Sequence, residues 1–595
     1  MKAPLRVSNP PLKPLMIWDG ECHLCRRWIE RWREITEGQI DAFVEPDGKT
    51  FFAAEAVYRS LACRSSRKWL PWCYDHVFGF AAISEIGYSF IARHRKSGSA
   101  VTRLLWGEDV CPPTYFWARR WFLRALGIIY LIAFVSLWVQ VDGLIGRGGI
   151  SPINQFLPAV HEQLGRQAYS LLPTLCWFNS TNTFLHFLCG GGVAFSLLLV
   201  LGIAPAICLT ALFVSYLSLT IAGQTFLSFQ WDILLLETGF LSIFLAPWQL
   251  WQKRGQEPPV SRAALFLLKL LLFKLTVMSG VVKLTSGDDC WWNLTALDYH
   301  YWSQPLPTMF GWWADQSPEW FKHFSVAFCL IVEIIVPFLI WAPRRPRLIA
   351  AGLMIFLQVV IAITGNYCFF NLLTIALCLL LIDDGVAASL RDARTFRTAK
   401  RLQDRLSIYS ATVVIVVTLP INAWLIFNAF RPAAQWPRQL AFAYEHLEPF
   451  RIVNGYGLFR VMTKDRREIV IEGSADGIEW LPYEFKWKPG DLKRAPGWCA
   501  PHQPRLDWQM WFGALGTAQQ NPWFIRLAIC LLEGKRDVRQ LFAHDPFPNR
   551  PPRYVRAILY RYRFTTANEH GQTGAWWRRQ ELGEYLPTVS LQDLR

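Results

Sequence analysis

The chain of 595 residues is 52% hydrophobic and only 18% charged, with a formal net charge of +16; ordinary soluble domains carry roughly 25% charged residues. This balance excludes a disordered chain, a collagen-like repeat and a small disulfide scaffold, and it argues against a protein held wholly in water. Basic charge alone would admit a nucleic-acid binder, but here Lys and Arg interrupt long apolar runs, so the expected partner is the lipid bilayer and no nucleic acid is expected.

Three regions follow in chain order: a mixed, basic region (14–120), an apolar region (121–430) and a polar, aromatic-rich region (431–595). Residues 1–14 hold no apolar core of the length a cleavable signal peptide needs. Leu15–Trp18 reads as a short strand, Asp19-Gly20 as a turn, and Cys22-His23-Leu24-Cys25 as the opening of a helix running from Arg26 to about Glu37. A helix N-terminus favours thiolate, so Cys22 is the candidate attacking thiol and Cys25 the resolving one. The alternatives are two inert thiols, or half a zinc site completed by Cys63, Cys73 or His76, whose irregular spacing speaks against metal. No metal or other cofactor is expected.

The stretch Asp19–Cys25, with Glu45-Pro46-Asp47-Gly48, Ala54-Glu55-Ala56 and the run from Tyr88 to Arg95, resembles the DCC family of thiol–disulfide oxidoreductases. The resemblance implies a small α/β thioredoxin-like fold, shortened here between Phe43 and Glu45, where that family usually carries a strand, a helix and loops.

Nine apolar spans are predicted near 122–141, 183–203, 205–222, 231–248, 263–284, 322–341, 348–364, 369–383 and 408–428, each near the length that crosses roughly 30 Å of hydrocarbon. Their connectors are asymmetric. Arg119, Arg120 and Arg124, then Lys253, Arg254 and Arg262, then Arg344, Arg345 and Arg347, and finally six Lys and Arg between 391 and 405 fall on alternate ends; 223–230, 285–320 and 365–368 contain none. The positive-inside rule then places the N-terminus in the cytoplasm and residues 431–595 outside it. Charges within spans are costly and mark a pair or a site. Lys274 is expected to pair with Glu333 or Glu237, and Lys269 to snorkel.

The chain from about residue 115 onward resembles the lipase maturation factor family. The residues that carry this are Gly148–Pro152, Gln230-Trp231-Asp232, Met278–Asp288, His300-Tyr301, Gln304–Pro307, Thr364–Tyr367, Asn454–Phe459, Glu472–Trp480 and Pro501–Phe512, the last containing His502, Arg505 and Asp507. The resemblance implies a multi-pass membrane protein that assists folding or assembly of exported proteins such as lipases. Fusion to a DCC-like region implies a bacterial member, in the inner membrane. A shorter likeness, Gly280-Val281-Val282-Lys283-Leu284, is similar to the segment bearing the catalytic lysine of vitamin K-dependent carboxylase-like proteins. It implies Lys283 as a base, against the plainer reading of an interfacial lysine with its ammonium in water.

In the last region, Glu468–Ser474, Asp476-Gly477 and Tyr483–Trp487 read as strand, turn and strand, a hairpin similar to those of discoidin-type β-sandwiches. Tyr560, Tyr562 and Phe564 alternate with Arg561 and Arg563 as a strand with one basic face. Arg505 and Asp507 are candidates to pair, with the aromatic run beside them at the membrane interface. A Ser/His/Asp hydrolase is excluded for want of a nucleophile elbow. The leading expectation is thus a nine-span helical membrane protein with a thioredoxin-like N-terminal region and a β-sandwich-like C-terminal domain. Its role is that of a folding or assembly factor with accessory thiol exchange. The alternative is a membrane oxidoreductase or carboxylase-like enzyme using Cys22/Cys25 or Lys283.

Overall fold

A computed structural model describes residues 23–35, 51–62, 67–251, 258–386 and 402–594. The chain divides into two compact units: residues 1–115 with 341–349 and 383–392, and residues 116–340 with 350–382 and 393–595.

The described elements of the first unit are helices: α1 (His23–Ile35), α2 (Ala53–Ala62), α3 (Trp69–His76), α4 (Phe80–Arg93) and α5 (Arg95–Trp106). Polar groups meet between them. Glu85 of α4 accepts from the Tyr74 hydroxyl (2.9 Å) and the Glu55 N–H (3.3 Å), the Tyr58 hydroxyl donates to Ser84 (3.1 Å), and Arg59 pairs with Glu55 and Asp75. The same unit holds the chain around residue 344, where Arg344 and Arg347 both engage the buried Asp383 and Arg344 also donates to the Asp109 carbonyl (2.7 Å). No strand occurs among the described residues of the N-terminal region. The strand expected at 15–18, and Cys22 itself, lie outside the described residues. Cys25 sits half-buried in the first turn of α1.

Among the described residues seven helices, most of them wholly in the second unit, are long and apolar enough to cross a membrane, and the chain is a multi-pass membrane protein. They are α6 (Phe116–Trp138), α7 (Asn182–Leu201), α8 (Pro205–Ala222), α10 (Arg262–Leu284), α12 (Glu319–Ile334, continued to Trp341 by a 3-10 turn, and preceded by the short α11, Leu297–Ser303), α13 (Arg344–Thr364, which starts in the first unit) and α15 (Leu402–Phe430, spanning from Tyr409). The expected count of nine differs at two places. α9 (Gln230–Leu245) has 16 residues and α14 (Phe370–Leu379) has 10, about 24 and 15 Å of helix. Both are buried on nearly every side. A helix that is apolar all round satisfies a protein core as well as it satisfies lipid, so composition alone cannot separate the two. The sharp turn between α7 and α8 forms as expected, with Gly202 left-handed (φ +81°) and Pro205 in the first turn of α8. Gly192 lets α7 close on α6: a side chain there would collide with the Phe134 ring.

The C-terminal region folds on an antiparallel sheet, β2-β1-β5-β6, built from β1 (Arg466–Ser474), β2 (Leu481–Pro482), β5 (Tyr554–Phe564) and β6 (Trp577–Ser590); β3 (Glu484–Phe485) and β4 (Phe542–His544) form a separate pair. The Asp476-Gly477 turn forms, with Ser474 and Asp476 side chains accepting the turn N–H groups, but it leads β1 into Leu481–Pro482; of the expected second strand Tyr483–Trp487 only Glu484–Phe485 is extended, and it pairs with β4. β5 has Tyr562 and Phe564 buried and Arg561 and Arg563 exposed. In place of a second large sheet, α16 (Arg505–Gly513) and α17 (Pro522–Leu532) pack on β1 and β5.

Candidate functional site

Within the second unit, the C-terminal region and the membrane helices are joined by buried polar groups. The first junction starts at two helix openings. Asp232 lies in the first turn of α9, where a carboxylate suits the exposed N–H groups, and Arg505 opens α16 after Pro504. Both side chains are fully buried. Arg505 Nη1 and Nη2 reach Asp232 Oδ2 and Oδ1 at 3.0 and 2.9 Å, a two-pronged pair. The Tyr216 hydroxyl donates to Asp232 Oδ1 (2.5 Å), and Arg505 also donates to the Phe226 carbonyl (2.7 Å). Burial alone would lower the guanidinium's affinity for its proton; the Asp232 charge outweighs it and the net shift is upward. The expected Arg505–Asp507 pair does not form. Asp507 instead accepts from the Trp487 and Lys488 N–H groups at 2.8 and 3.0 Å, and burial pushes its carboxyl up. Nor does the whole aromatic run lie at a lipid interface: Trp508 is buried edge-on against Trp231, 4.6 Å between centroids.

The second junction lies among the spans. Of the two carboxylates expected for Lys274, Glu237 is the one in place, with Nζ 2.6 Å from Oε1; Nζ also reaches Asn422 (2.7 Å). Glu237 Oε2 accepts from the Asn454 N–H (3.1 Å), the Asn454 amide (3.0 Å) and the Tyr456 hydroxyl (2.7 Å). One carboxylate thereby joins α9, α10 and the segment after α15. Glu333 belongs to Lys283, 2.5 Å away. Lys283 is therefore not an interfacial lysine in water: it is 5% exposed, ion-paired and set over the Trp291 ring. A cleft of about 590 Å³ opens nearby between 286–288, 461–465, Arg467 and Leu515, and Lys283 is not in its wall.

His300 and Gln304 meet at Tyr367, whose hydroxyl lies 2.9 Å from His300 Nε2 and donates to Gln304 Oε1 (2.7 Å); Gln304 in turn donates to the Thr364 carbonyl (2.9 Å). Burial, with Lys283 nearby, holds His300 down to about 4. His502 Nδ1 lies 2.9 Å from the Ser136 hydroxyl at the end of α6. Burial first, then Arg505 and Lys486, lower it to about 4. Both imidazoles are thus neutral near pH 7 and serve as hydrogen-bonding groups. Gln140 and Asn366 complete the seam. Gln140 bonds the Gln503 carbonyl (2.7 Å) and the Arg505 N–H (3.0 Å), and Asn366 accepts from the Cys499 and Ala500 N–H groups (2.8 and 3.0 Å). Gln140, Asn422, Asn454 and Tyr456 were not singled out from the sequence as site residues. Only Asn454 and Tyr456 carried a signal, through their place in the Asn-Gly-Tyr-Gly run. Among the described residues no group of three or more His, Cys, Asp or Glu is placed to hold a metal. The arrangement is built to fasten, with every named charge consumed by a protein partner.

The comparisons with known proteins cover both sides of this seam. Residues 117–389 match the lipase maturation factor transmembrane domain and 452–587 the lipase maturation factor C-terminal domain. The chain is 37% identical to lipase maturation factor 2 of Gallus gallus (80% of this chain, 82% of that protein), 36% identical to lipase maturation factor 2 of Homo sapiens (80% and 83%) and 36% identical to lipase maturation factor 1 of Mus musculus (81% and 88%). These relatives are vertebrate proteins and lend no support to a bacterial inner membrane; neither family match reaches the expected DCC-like region. No solved structure matches. Asp232 falls in the first matched region and Arg505 in the second, so the buried pair ties together the two regions by which the chain belongs to the lipase maturation factor family.

Proposed function

We propose that this chain promotes maturation of an exported lipase, using the membrane bundle to hold residues 431–595 on the side of the bilayer away from the cytoplasm. The observation that carries the reading is the extent of the likeness: proteins named lipase maturation factors align over about four-fifths of this chain and more than four-fifths of their own length. Spans and C-terminal region are shared together.

The sidedness rests on two independent supports. The cationic connectors fall on alternate ends of the spans. The C-terminal seam, for its part, touches the other ends: Ser136 and Gln140 at the close of α6, Phe226 and Asp232 before and at the start of α9, and Asn366 just after α13. For Asp232 to sit on that side and Arg262 on the other, α9 must carry the chain back across, short as it is. α14 does the same between Asn366 and the basic stretch after 390. Nothing in this reading requires thiol exchange at Cys22 and Cys25.

The test is complementation. Cells lacking their own lipase maturation factors would receive a lipase that needs one, together with this chain. Lipase activity in the medium, per amount of lipase protein made, is expected to rise severalfold. A full-length chain that reaches the membrane in normal amount and yields no gain would overturn the reading.

A further inference from the structure

The first unit carries an apolar face that its own packing does not use. On α4 the polar side is turned inward: Ser84 and Glu85 bond to Tyr58, Tyr74 and the Glu55 N–H. The apolar side, Ile83, Ile86 and Phe90 at helical spacing, is 72, 70 and 63% exposed. Trp72 on α3 (57%) and Phe78 in the turn before α4 (fully exposed) extend the same character. A soluble helix pair does the reverse. At 14 residues, or about 21 Å, α4 is too short to cross a bilayer.

What covers this face is indicated by the unit's own composition. It includes residues 341–349, the link between two spans, bonded through Arg344 and Arg347 to Asp383 and Asp109. The unit therefore contains the ends of membrane helices. The exposed cations Arg93 and Lys96 follow the apolar stretch, as in helices that lie along an anionic leaflet, and Trp is a side chain favoured at the headgroup level.

We infer that α4, with Trp72 and Phe78, lies in the plane of the cytoplasmic leaflet with Ile83, Ile86 and Phe90 among the acyl chains. The inward-facing polar side is then the protein contact and the outward apolar side the lipid contact. This holds whether or not the chain matures a lipase.

An environment-sensitive fluorescent amino acid, encoded in place of Ile86 in the full-length chain, tests it after reconstitution into vesicles containing anionic lipid. Quenching by lipids bearing a nitroxide near the headgroup is expected to match that of the same probe at Val416, which faces outward from a span (68% exposed), and to exceed severalfold that of a probe at the exposed Gln580. Aqueous iodide should quench position 86 weakly. Strong iodide quenching without lipid quenching would show the face in water and overturn the inference. Protection from both quenchers would show a protein covering it, and would overturn it equally. A probe at Arg93 should respond to both quenchers, which controls for depth.

Discussion

Replacing Arg505 with Met is expected to cost about 3–5 kcal/mol, because it leaves the Asp232 carboxylate buried without its counter-ion. Asp232→Asn should cost a similar amount for the converse reason. Both side chains are fully buried and joined by two hydrogen bonds, so neither water nor a neighbour can replace the missing partner. Paired carboxylates and guanidinium groups repay their desolvation only while both are present. The double variant Arg505→Met, Asp232→Leu should therefore recover much of the loss. Thermal unfolding in detergent, with amounts at the membrane as a second readout, checks this. A double variant as unstable as the sum of the singles would mean that the two residues act separately.

The second large effect is expected at Glu237. Glu237→Gln strips Lys274 of its charge partner within a span, and a loss of about 3–5 kcal/mol follows from the same asymmetry. The network offers a graded series. Tyr456→Phe removes one hydrogen bond to the carboxylate, at 2.7 Å, and should cost about 1.5–3 kcal/mol. It should also loosen the segment around 454–457 while leaving α9 and α10 in contact. Hydrogen exchange separates the two outcomes: Tyr456→Phe should raise exchange at 453–457 alone, Glu237→Gln also along α10. Equal exchange patterns in the two variants would show that Glu237 does not join the elements as described.

What the sequence discloses and what it hides divide along physical lines. Long spans announce themselves by composition, and the cationic connectors by alternation. α9 and α14, at 16 and 10 residues, are shorter than the spans expected there, because a helix enclosed by protein can be apolar all round without the length that lipid demands. Lys274 stood out because a charge in hydrocarbon needs a reason, and Glu237 was among its expected partners. Glu333 went instead to Lys283, nine positions along α10 and about 13 Å further on, which is too far for one carboxylate to serve both lysines. The Arg505–Asp507 expectation failed on helix geometry, since residues two apart point to different sides. The true partner, Asp232, is 273 positions away, and no local pattern announces such a pair. Gln140 and Asn422 were invisible for a related reason: an amide within or at the end of an apolar helix is noticed only once its partner is known. In the N-terminal region, Cys22 and the Glu45–Gly48 stretch of the likeness lie outside the described structure, and the outward apolar side of α4 had no counterpart in the expected thioredoxin-like fold.

The buried seam makes the spans and residues 431–595 fold as a single body, and producing residues 431–595 alone measures this most directly. Asp232, Glu237 and Asn366 would be missing, and Arg505 and Tyr456 would face water or an unfilled core. The fragment is expected to show no cooperative thermal transition and no slow-exchanging amides in β1 and β5, whereas the full-length protein in detergent shows both. A fragment that melts cooperatively, with β1 and β5 protected as in the intact chain, would contradict it.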